Sequence, residues 1–478
     1  MTMTKKKYVH LFIMVALTIL IACAPTIGVI SRQGMCTLGV FVGVLYGWIT
    51  FDLIIPSVFG YVALALFGIM DTTTALSTGF GNSNLVVVLV AMVFTGAIDA
   101  VGVTTFIANW LVSRKIFRKS PWLLVFGMIL TAYIMGMLGV YLAAIFLLWA
   151  IILRIAQENN IPKGDRLLTF MIMMITAAGF SGVFAVPFRA TAMIFEGYFI
   201  DTMQLTFDVL PFILLSLLTT GTVTLVMILL GKVLFRLDAS KFILPDDVVA
   251  VLKAEKVTKE AKIGFVALII YSMALLLPST FPNLPGMKIL SALGVGGMSC
   301  LGLVLMAVIS FKGQPLIEMG KIWTRYVDWQ LMLLLSVTFP IAEAMRMEET
   351  GIMKTVVGLV LPIVSGMGVT KFMIISMILL GILTQVTHNI VLAAMFTPFL
   401  CPLAVDLGGN PYVMWFLMYF ALNASYMTPA ASFQSAMVHG HKIVDTRWTY
   451  IFGITISLLT WLILIFVTMP LGGKLFPV

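Results

Sequence analysis

Apolar segments long enough to cross a lipid bilayer follow one another along almost the whole chain. A spanning helix needs about 20 consecutive apolar residues. Of the 478 residues, 61% are hydrophobic and only 10% are charged, whereas an ordinary soluble domain has about 25% charged residues. So few charges do not cover a water-facing surface, which predicts an all-α polytopic membrane protein and excludes soluble, disordered and disulfide-scaffold classes. The apolar segments are approximately 9–30, 35–50, 53–70, 85–112, 121–153, 167–200, 209–231, 263–281, 289–311, 329–347, 358–405, 411–438 and 448–470.

The 29 Lys and Arg side chains predict the topology. We place Lys5–Lys7 in the cytoplasm and treat the two overlong segments, 121–153 and 358–405, as re-entrant hairpins. Then 22 of the basic residues fall in cytoplasmic loops and six fall outside, with Arg189 the remaining one. This bias agrees with the positive-inside rule and gives about eleven spans plus two hairpins. The net charge of +9 therefore reflects topology, and no nucleic-acid partner is expected.

The two halves of the chain resemble each other. Asn84–Ala97 pairs with Trp329–Ala342 at an offset of 245, and Gly179–Arg189 pairs with Ser425–Ser435 at an offset of 246. Each half reads as a helix, a hairpin, a broken helix and a helix, with the first hairpin inside and the second outside. Inverted repeats with interrupted helices are typical of secondary transporters. The predicted organisation is an N-terminal helix (1–34), a first inverted repeat (35–236), a cytoplasmic connector (237–262) and a second inverted repeat (263–478).

Four stretches inside the apolar segments interrupt a helical pattern: Gly136–Tyr141, Gly179–Arg189, Thr384–Asn389 and Asn423–Ser435. Backbone that leaves the helix inside a membrane must be buried or line a wet cavity. Freed carbonyls there suit a small cation, and helix N-termini suit an anion. The stretches therefore predict ion and substrate sites. The alternative is that their Ser, Thr and Asn side chains only join helices by hydrogen bonds.

Arg189 is the most unusual residue in the chain, because an intramembrane Arg is costly and faces a cavity or a partner. One interpretation is that it binds the substrate anion through bidentate hydrogen bonds. The alternative is that it pairs with Glu196, two helical turns further on, or extends its charged end to the membrane surface.

Several other ionisable residues lie in or beside the apolar segments. His388 titrates near neutral pH and is a candidate for proton coupling or substrate binding, or else a packing residue. Asp99 and Glu343 occupy near-equivalent positions in the two halves and either carry protons or mark helix ends. His439 and His441 are too few for a metal site, and the four cysteines show no CxxC spacing.

The stretch Ala421–Gly440 (ALNASYMTPAASFQSAMVHG) resembles the tenth-helix break of the divalent anion:sodium symporter (DASS) family, whose pattern there is close to M-x-P-x-A-T-P-P-N-A-x-V-x-G. Thr387–Ile390 resembles that family's Ser-Asn-Thr hairpin tip, and Val327–Leu334 and Ala75–Phe80 are similar to its helix-start segments. The resemblance covers essentially the whole chain. It implies an elevator-type transporter of the ion-transporter superfamily, a homodimer, and a bacterial inner-membrane location with a cytoplasmic N-terminus.

The resemblance also implies site residues at both hairpin tips and both breaks. The second tip keeps Asn389 between His388 and Ile390, whereas the first tip, Leu138–Tyr141, is apolar. We therefore expect at most one strong Na⁺ site, built around Asn389, with a proton on His388 as the other coupling ion. The implied substrate-binding residues are Gly139, Val140, Tyr141, Val186, Pro187, Arg189, His388, Asn389, Ile390, Ser432 and Phe433. The implied cation-binding residues are Ser181, Gly182, Thr384, Thr387, Asn389 and Ala431.

These observations predict a secondary active transporter of a small anion, a di- or tricarboxylate or a sulfate-like ion, coupled to Na⁺ or H⁺. The sequence contains no HExxH motif, no plausible Asp pair and no Ser/His dyad in register, so neither an enzyme activity nor a cofactor is expected. Two alternatives stay open. One is an anion exchanger or efflux permease of the same superfamily, and the other is a passive anion channel with a continuous polar pore.

Overall fold

The structure is almost entirely helical, as the composition predicts. Among the described residues the only strands are the two-residue β1 (Ser310–Phe311) and β2 (Gln314–Pro315), which pair antiparallel. The computed structural model describes residues 5–50, 52–103, 105–107, 119–139, 141–243, 258–281, 283–311, 313–352, 354, 355, 358, 366 and 368–478. The first half contains α1 (Lys5–Cys23), α2 (Arg32–Thr50), α3 (Ile54–Leu66), α4 (Thr72–Phe80), α5 (Ser83–Ala100), α6 (Pro121–Met137), α7 (Tyr141–Glu158), α8 (Arg166–Val183), α9 (Ala190–Met203) and α10 (Val209–Val233). The second half contains α11 (Lys259–Thr280), α12 (Met287–Val308), α13 (Met319–Tyr326), α14 (Trp329–Arg346), α15 (Val369–Leu383), α16 (Asn389–Asp406), α17 (Pro411–Asn423), α18 (Phe433–His439), α19 (Thr446–Ile463) and α20 (Met469–Leu475), with a 3₁₀ turn at Glu348–Thr350 and a π-helical turn at Leu464–Thr468.

Short polar side chains begin helices within the apolar sequence. The Ser120 side chain caps α6 and the Asn410 side chain caps α17 by accepting bonds from backbone N–H groups of the first turn. Pro121 and Pro411 follow directly, at a position where no backbone N–H is needed. The start of the first hairpin and the start of the second broken helix are therefore encoded locally.

The element order of the first half repeats in the second, as the sequence predicts. Helices α4 and α5 correspond to α13 and α14, and the hairpin α6–α7 corresponds to α15–α16. The broken helix α8–α9, interrupted over 184–189, corresponds to α17–α18, interrupted over 424–432. Each half then ends in a long helix, α10 or α19 with its π-helical continuation.

The helix α10 shows that the two hairpins enter from opposite ends of the helical bundle. It has 25 residues and is about 37 Å long at about 1.5 Å per residue. Just before its start, the Thr206 carbonyl accepts a 2.9 Å hydrogen bond from Tyr412, at the base of the second hairpin. Just after its end, the Phe235 ring lies 6.1 Å from the Trp448 ring. The guanidinium of Arg166, at the base of the first hairpin, lies 4.9 Å from the centre of the same Trp448 ring. The repeats are therefore inverted.

Glycines bring the first hairpin into backbone contact with the first broken helix. A Cβ atom on Gly136 would lie 2.0 Å from the Gly179 carbonyl oxygen. A Cβ atom on Gly182 would lie 2.1 Å from the Tyr133 carbonyl oxygen. Because no larger residue fits at these positions, α6 and α8 pack as one unit.

Eight helices among the described residues are long and apolar enough to cross a membrane, or nine if α13 and α14, bent by 67°, count as one span. The chain is an integral membrane protein. The hairpin helices α6 and α15 stop short of a full span, and α17–α18 is broken. For this reason fewer helices pass the length test than the about eleven spans that the apolar segments predict.

The boundaries predicted for the N-terminal helix, the two repeats and the connector remain predictions. Residues 244–257 of the connector lie outside the described residues. So do residues 108–118, which carry three of the basic side chains used in the charge argument.

Both flanks of the first hairpin are expected on the cytoplasmic side. In a protein whose four native cysteines are replaced, a cysteine at Ser120 and one at Lys163 should react with a membrane-impermeant maleimide only from the cytoplasmic face. A cysteine at Lys371, at the base of the second hairpin, is the matched control and should react only from the other face. Labelling of Ser120 and Lys163 from opposite faces would remove the first hairpin from this topology.

Candidate functional site

A cavity of about 280 Å³ lies where the first hairpin tip meets the first helix break. Four structural elements form its wall, so residues far apart in sequence meet there. The lining residues are Met92, Thr95, Gly96 and Asp99 of α5, Gly139, Tyr141 and Leu142 of the hairpin, Val183, Arg189, Ala190 and Thr191 of the broken helix, and Tyr326 of α13. We call this space the Arg189 cavity.

Arg189 immediately precedes α9 and is held in the cavity wall by the hairpin tip. Its side chain is 3% exposed, and its Nε donates a 2.8 Å hydrogen bond to the Met137 carbonyl. Its Nη2 is buried and has no hydrogen-bond partner in the described part of the chain. The guanidinium makes no ion pair with Glu196 among the described residues, and it is buried rather than extended to the surface, so the structural alternative for Arg189 is wrong. Nη2 therefore lacks a protein partner among the described residues.

Gly139 turns the first hairpin directly against Arg189. Its φ angle is +84°, in the left-handed region that favours glycine. A Cβ atom there would lie 2.7 Å from Arg189 Nη1 and 2.9 Å from Thr95 Cγ2. The structure thus brings together two of the predicted substrate residues. Val140, the next predicted residue, lies outside the described residues.

Tyr141 joins the first hairpin to the second broken helix. Its hydroxyl accepts a 3.1 Å hydrogen bond from Gln434 Nε2, on α18. Its ring lies 5.9 Å from the Phe180 ring of α8. Tyr141 therefore lines the Arg189 cavity and connects the two repeats.

Gln385 at the second hairpin tip supplies hydrogen bonds to the second helix break. Its Nε2 donates to the Gly381 carbonyl at 2.8 Å and the Ala424 carbonyl at 3.1 Å. Its Oε1 accepts from the Met427 backbone N–H at 2.9 Å, and Thr428 Oγ1 donates to its backbone carbonyl. Backbone groups freed inside a membrane need such partners. Gln385 therefore holds the tip and the break together.

Asn389 and Thr384 extend this connection. Asn389 Nδ2 donates to Asn423 Oδ1 at 2.6 Å, and Asn389 Oδ1 accepts from its neighbour Ile390 N–H at 2.9 Å. Thr384 Oγ1 donates to the Leu422 carbonyl at 2.7 Å. Two residues predicted at the second tip, Asn389 and Thr384, thus contact the end of α17.

The remaining predicted cation residues are distributed around the two breaks. Ser181 lines a cavity of about 20 Å³ together with Asn423 of the second break. Gly182 is used for the helix contact with α6, Ala431 is buried in the second break, and Thr387 is half-buried at the second tip. Cation binding by these residues remains a prediction.

The other predicted substrate residues do not line the Arg189 cavity. Val186 is buried in the core, and Pro187 lines a different cavity. Ser432 caps α18 by accepting from the Ser435 N–H at 3.1 Å. Phe433 is 63% exposed, and His388 is exposed at the second tip. Their substrate contacts remain predictions.

Sequence reasoning did not place two residues in this site: Tyr326 was not considered, and Asp99 was considered only as a proton carrier or a helix-end residue. Asp99 and Tyr326 both line the Arg189 cavity, and the Tyr326 hydroxyl donates to Asp99 Oδ2 at 3.4 Å. Asp99 also lies at the end of α5, so its interpretation as a helix-end residue describes only part of its role. Tyr326 directly precedes the bend between α13 and α14.

Comparison with known families decides the identity of the chain. The model of the citrate transporter family CitMHS matches residues 41–389, from α2 to the second hairpin tip. The chain belongs to this family. The predicted membership of the ion-transporter superfamily is thereby confirmed. No curated protein matches the chain.

Among solved structures, the chain is similar to the YdaH transporter of Alcanivorax borkumensis. The TM-score is 0.59 and the sequence identity 16%, over 92% of this chain and 97% of that chain. At this identity the likeness shows the fold alone. It confirms the predicted class of fold for this CitMHS protein.

Removing the Gln385 side chain should destabilise the folded protein. Gln385→Ala leaves backbone groups of the second break unpaired, and an unsatisfied buried polar group costs about 1–3 kcal/mol. The measurement is the melting temperature of the detergent-purified protein. Gln157→Ala, at an exposed position on α7, is the matched control and should melt like the wild type. Equal melting temperatures for all three proteins would contradict the hydrogen-bonded contact between tip and break.

Proposed function

We propose that this CitMHS protein is a secondary active transporter of a small di- or tricarboxylate, with citrate as the first substrate to test. The observation that carries the proposal is the buried guanidinium of Arg189, whose Nη2 has no partner among the described residues and which lines the cavity. A buried cation without a partner is unfavourable, and a carboxylate ligand supplies both charge and hydrogen bonds.

The start of α9 adds a second source of positive potential. Ala190 and Thr191, the first two residues of this 14-residue helix, line the same cavity. Helix N-termini present free N–H groups and favour anions. Arg189 and α9 together therefore suit a carboxylate better than a neutral or cationic solute.

The volume of the cavity agrees with a small ligand. Pockets for small molecules occupy about 300–1,000 Å³, and the Arg189 cavity holds about 280 Å³. Such a space accommodates a compact polycarboxylate and excludes large organic anions. A sulfate-like anion is the smaller alternative.

Contacts between the tips and the breaks support an elevator-type motion. Arg189 binds the first tip at Met137, and Gln385 binds the second tip to the second break. The hydrogen bond between Tyr141 and Gln434 connects the first tip and break to the second tip and break. The hairpins and broken helices thus form one hydrogen-bonded unit that is able to move as a body. We further propose a homodimer in the bacterial inner membrane with a cytoplasmic N-terminus.

The direct test is counterflow of labelled citrate in proteoliposomes. Unlabelled citrate inside the vesicles should drive transient accumulation of the label, because a carrier exchanges one bound anion for another. A passive anion channel gives no such accumulation. Counterflow measured with a panel of dicarboxylates, sulfate and citrate then distinguishes the substrate classes. Uptake driven by imposed Na⁺ or pH gradients distinguishes symport from exchange or efflux.

Changing Arg189 should weaken anion binding. Arg189→Gln removes the charge and is expected to abolish citrate uptake, while Arg189→Lys keeps the charge but loses the planar fork. A hydrogen bond to a charged group is worth about 1.5–3 kcal/mol, and the loss of one corresponds to about tenfold to a hundredfold in affinity.

The measurement is the citrate concentration dependence of counterflow, with the amount of folded protein checked by size-exclusion chromatography. Arg447→Gln, at an exposed position on α19, is the matched control. Wild-type affinity in Arg189→Gln would show that Arg189 does not bind the anion.

The coupling ion is proposed to be Na⁺ at Asn389 or H⁺ at His388. Asn389→Ala should reduce Na⁺-stimulated uptake, because the expected Na⁺ site is built around the Asn389 side chain. His388→Gln should reduce uptake driven by a pH gradient, because His changes charge in this pH range. Steep, cooperative Na⁺ dependence that is unaffected by His388→Gln would contradict the expectation of at most one strong Na⁺ site.

A further inference from the structure

The helix α9, which Arg189 immediately precedes, has a half-buried ionisable side chain with one buried atom that lacks a partner in the described part of the chain. Glu196 lies seven residues after Arg189, and its Oε1 is buried and makes no hydrogen bond in the described part of the chain. The two side chains do not contact each other; each lines a cavity of its own. Packing alone therefore leaves the carboxyl group of Glu196 unexplained.

Glu196 faces a cavity of about 620 Å³ between α9 and the helices α5, α11 and α12. Asn84 and Val87 of α5, Ala274 of α11 and Leu290 of α12 contribute to its wall. Lys and Arg are absent from the described residues of this wall. The cavity thus holds space for water but no cation that neutralises a carboxylate.

The Glu196 cavity and the Arg189 cavity lie along opposite halves of α5. The Arg189 cavity adjoins Met92 to Asp99, near the C-terminal end of α5, and the Glu196 cavity adjoins Asn84 and Val87, near its start. Asp208, just before α10 and near the base of the second hairpin, also lines the Glu196 cavity. Water and protons are therefore expected to reach Glu196 from the side on which the second hairpin is based.

Other titratable groups near Glu196 are few. Asp208 lines the same cavity as Glu196. Tyr419 of α17 interacts electrostatically with Glu196. The buried face of α16, which packs on α9, carries the Cys401 thiol and no charged residue among its described positions. Neither α5, α11 nor α12 contributes a charged residue to the described cavity wall.

Further along α9, the nearest cation is held by other groups. Arg346 of α14 donates to the Asp201 carbonyl at 2.9 Å, and the Asp201 carboxylate accepts bonds from Asn82 and Asn84. This arrangement lies five residues beyond Glu196 and leaves the Glu196 carboxyl unpaired.

A charged carboxylate in this position opposes movement through the membrane. Intramembrane ionisable residues without a partner are strongly unfavourable in their charged form. In the elevator motion proposed above, α9 travels with the hairpins past α5, α11 and α12. The carboxylate must then lose its charge before it passes these apolar helices, and in this cavity the available neutralising species is a proton.

We infer that Glu196 is a proton-binding site of the transporter and that its protonation permits the moving unit to cross. This inference rests on the proposed function and adds a second residue to the candidates for proton coupling. One proton binds one carboxylate oxygen on one side of the membrane and leaves on the other. During the crossing the anion stays bound at Arg189.

The experiment separates exchange from proton-driven transport, with labelled citrate as the probe. Glu196→Gln imitates the protonated side chain permanently, so citrate counterflow should persist. Accumulation driven by an imposed pH gradient should fall to the level of vesicles without protein. Citrate-induced proton flux, read with pyranine trapped in the vesicles, should disappear as well. Glu158→Gln, the same change at an exposed position at the end of α7, is the matched control and should retain both.

A second variant covers the case in which Glu196→Gln fails to fold. Glu196→Asp keeps a carboxyl group and should retain pH-driven accumulation with an altered pH profile. Wild-type proton flux and accumulation in Glu196→Gln, or an unchanged pH profile in Glu196→Asp, would overturn the inference. Absence of citrate counterflow in the wild type would instead reject the proposed transport of citrate, so the two failures are distinguishable.

Discussion

Every backbone N–H and C=O group that leaves a helix inside the bilayer needs a partner, and this constraint organises the structure. The protein meets it by placing each hairpin tip against a helix break. At the first pair, the Met137 carbonyl accepts from Arg189, and at the second pair Gln385 binds Ala424 and Met427. The broken helices therefore depend on the hairpins for these hydrogen bonds.

The same constraint explains where function concentrates. Arg189, just before α9, and Glu196, on α9, each keep a buried side-chain atom without a hydrogen-bond partner among the described residues. Each faces a cavity, and the cavities adjoin opposite halves of α5. An anion at one and a proton at the other neutralise both charges. One helix thus connects the proposed substrate site to the proposed proton site.

Much of this arrangement was predictable because hydropathy and charge act locally. Apolar lengths predicted the hairpins, and glycine and polar residues predicted the breaks. Three predicted substrate residues, Gly139, Tyr141 and Arg189, meet in one cavity. Other members of the site were not predictable, because Asp99 and Tyr326 lie 227 positions apart and meet only when α5 packs beside α13.

The sequence by itself determined the membrane class, the two repeats, their opposite orientation and the transporter superfamily, since these follow from segment length, charge bias and motif order. The tertiary structure decided which polar residues hydrogen-bond to one another and which line cavities. Thr384 and Asn389 are predicted cation ligands in the sequence, and in the structure their side chains, with that of Gln385, also hydrogen-bond to the second break. Arg189 and Glu196 look like an ion pair at helical spacing, yet they line separate cavities. The physical reason is that a hydrogen bond forms only between groups that lie close together, and packing between helices sets which groups do so.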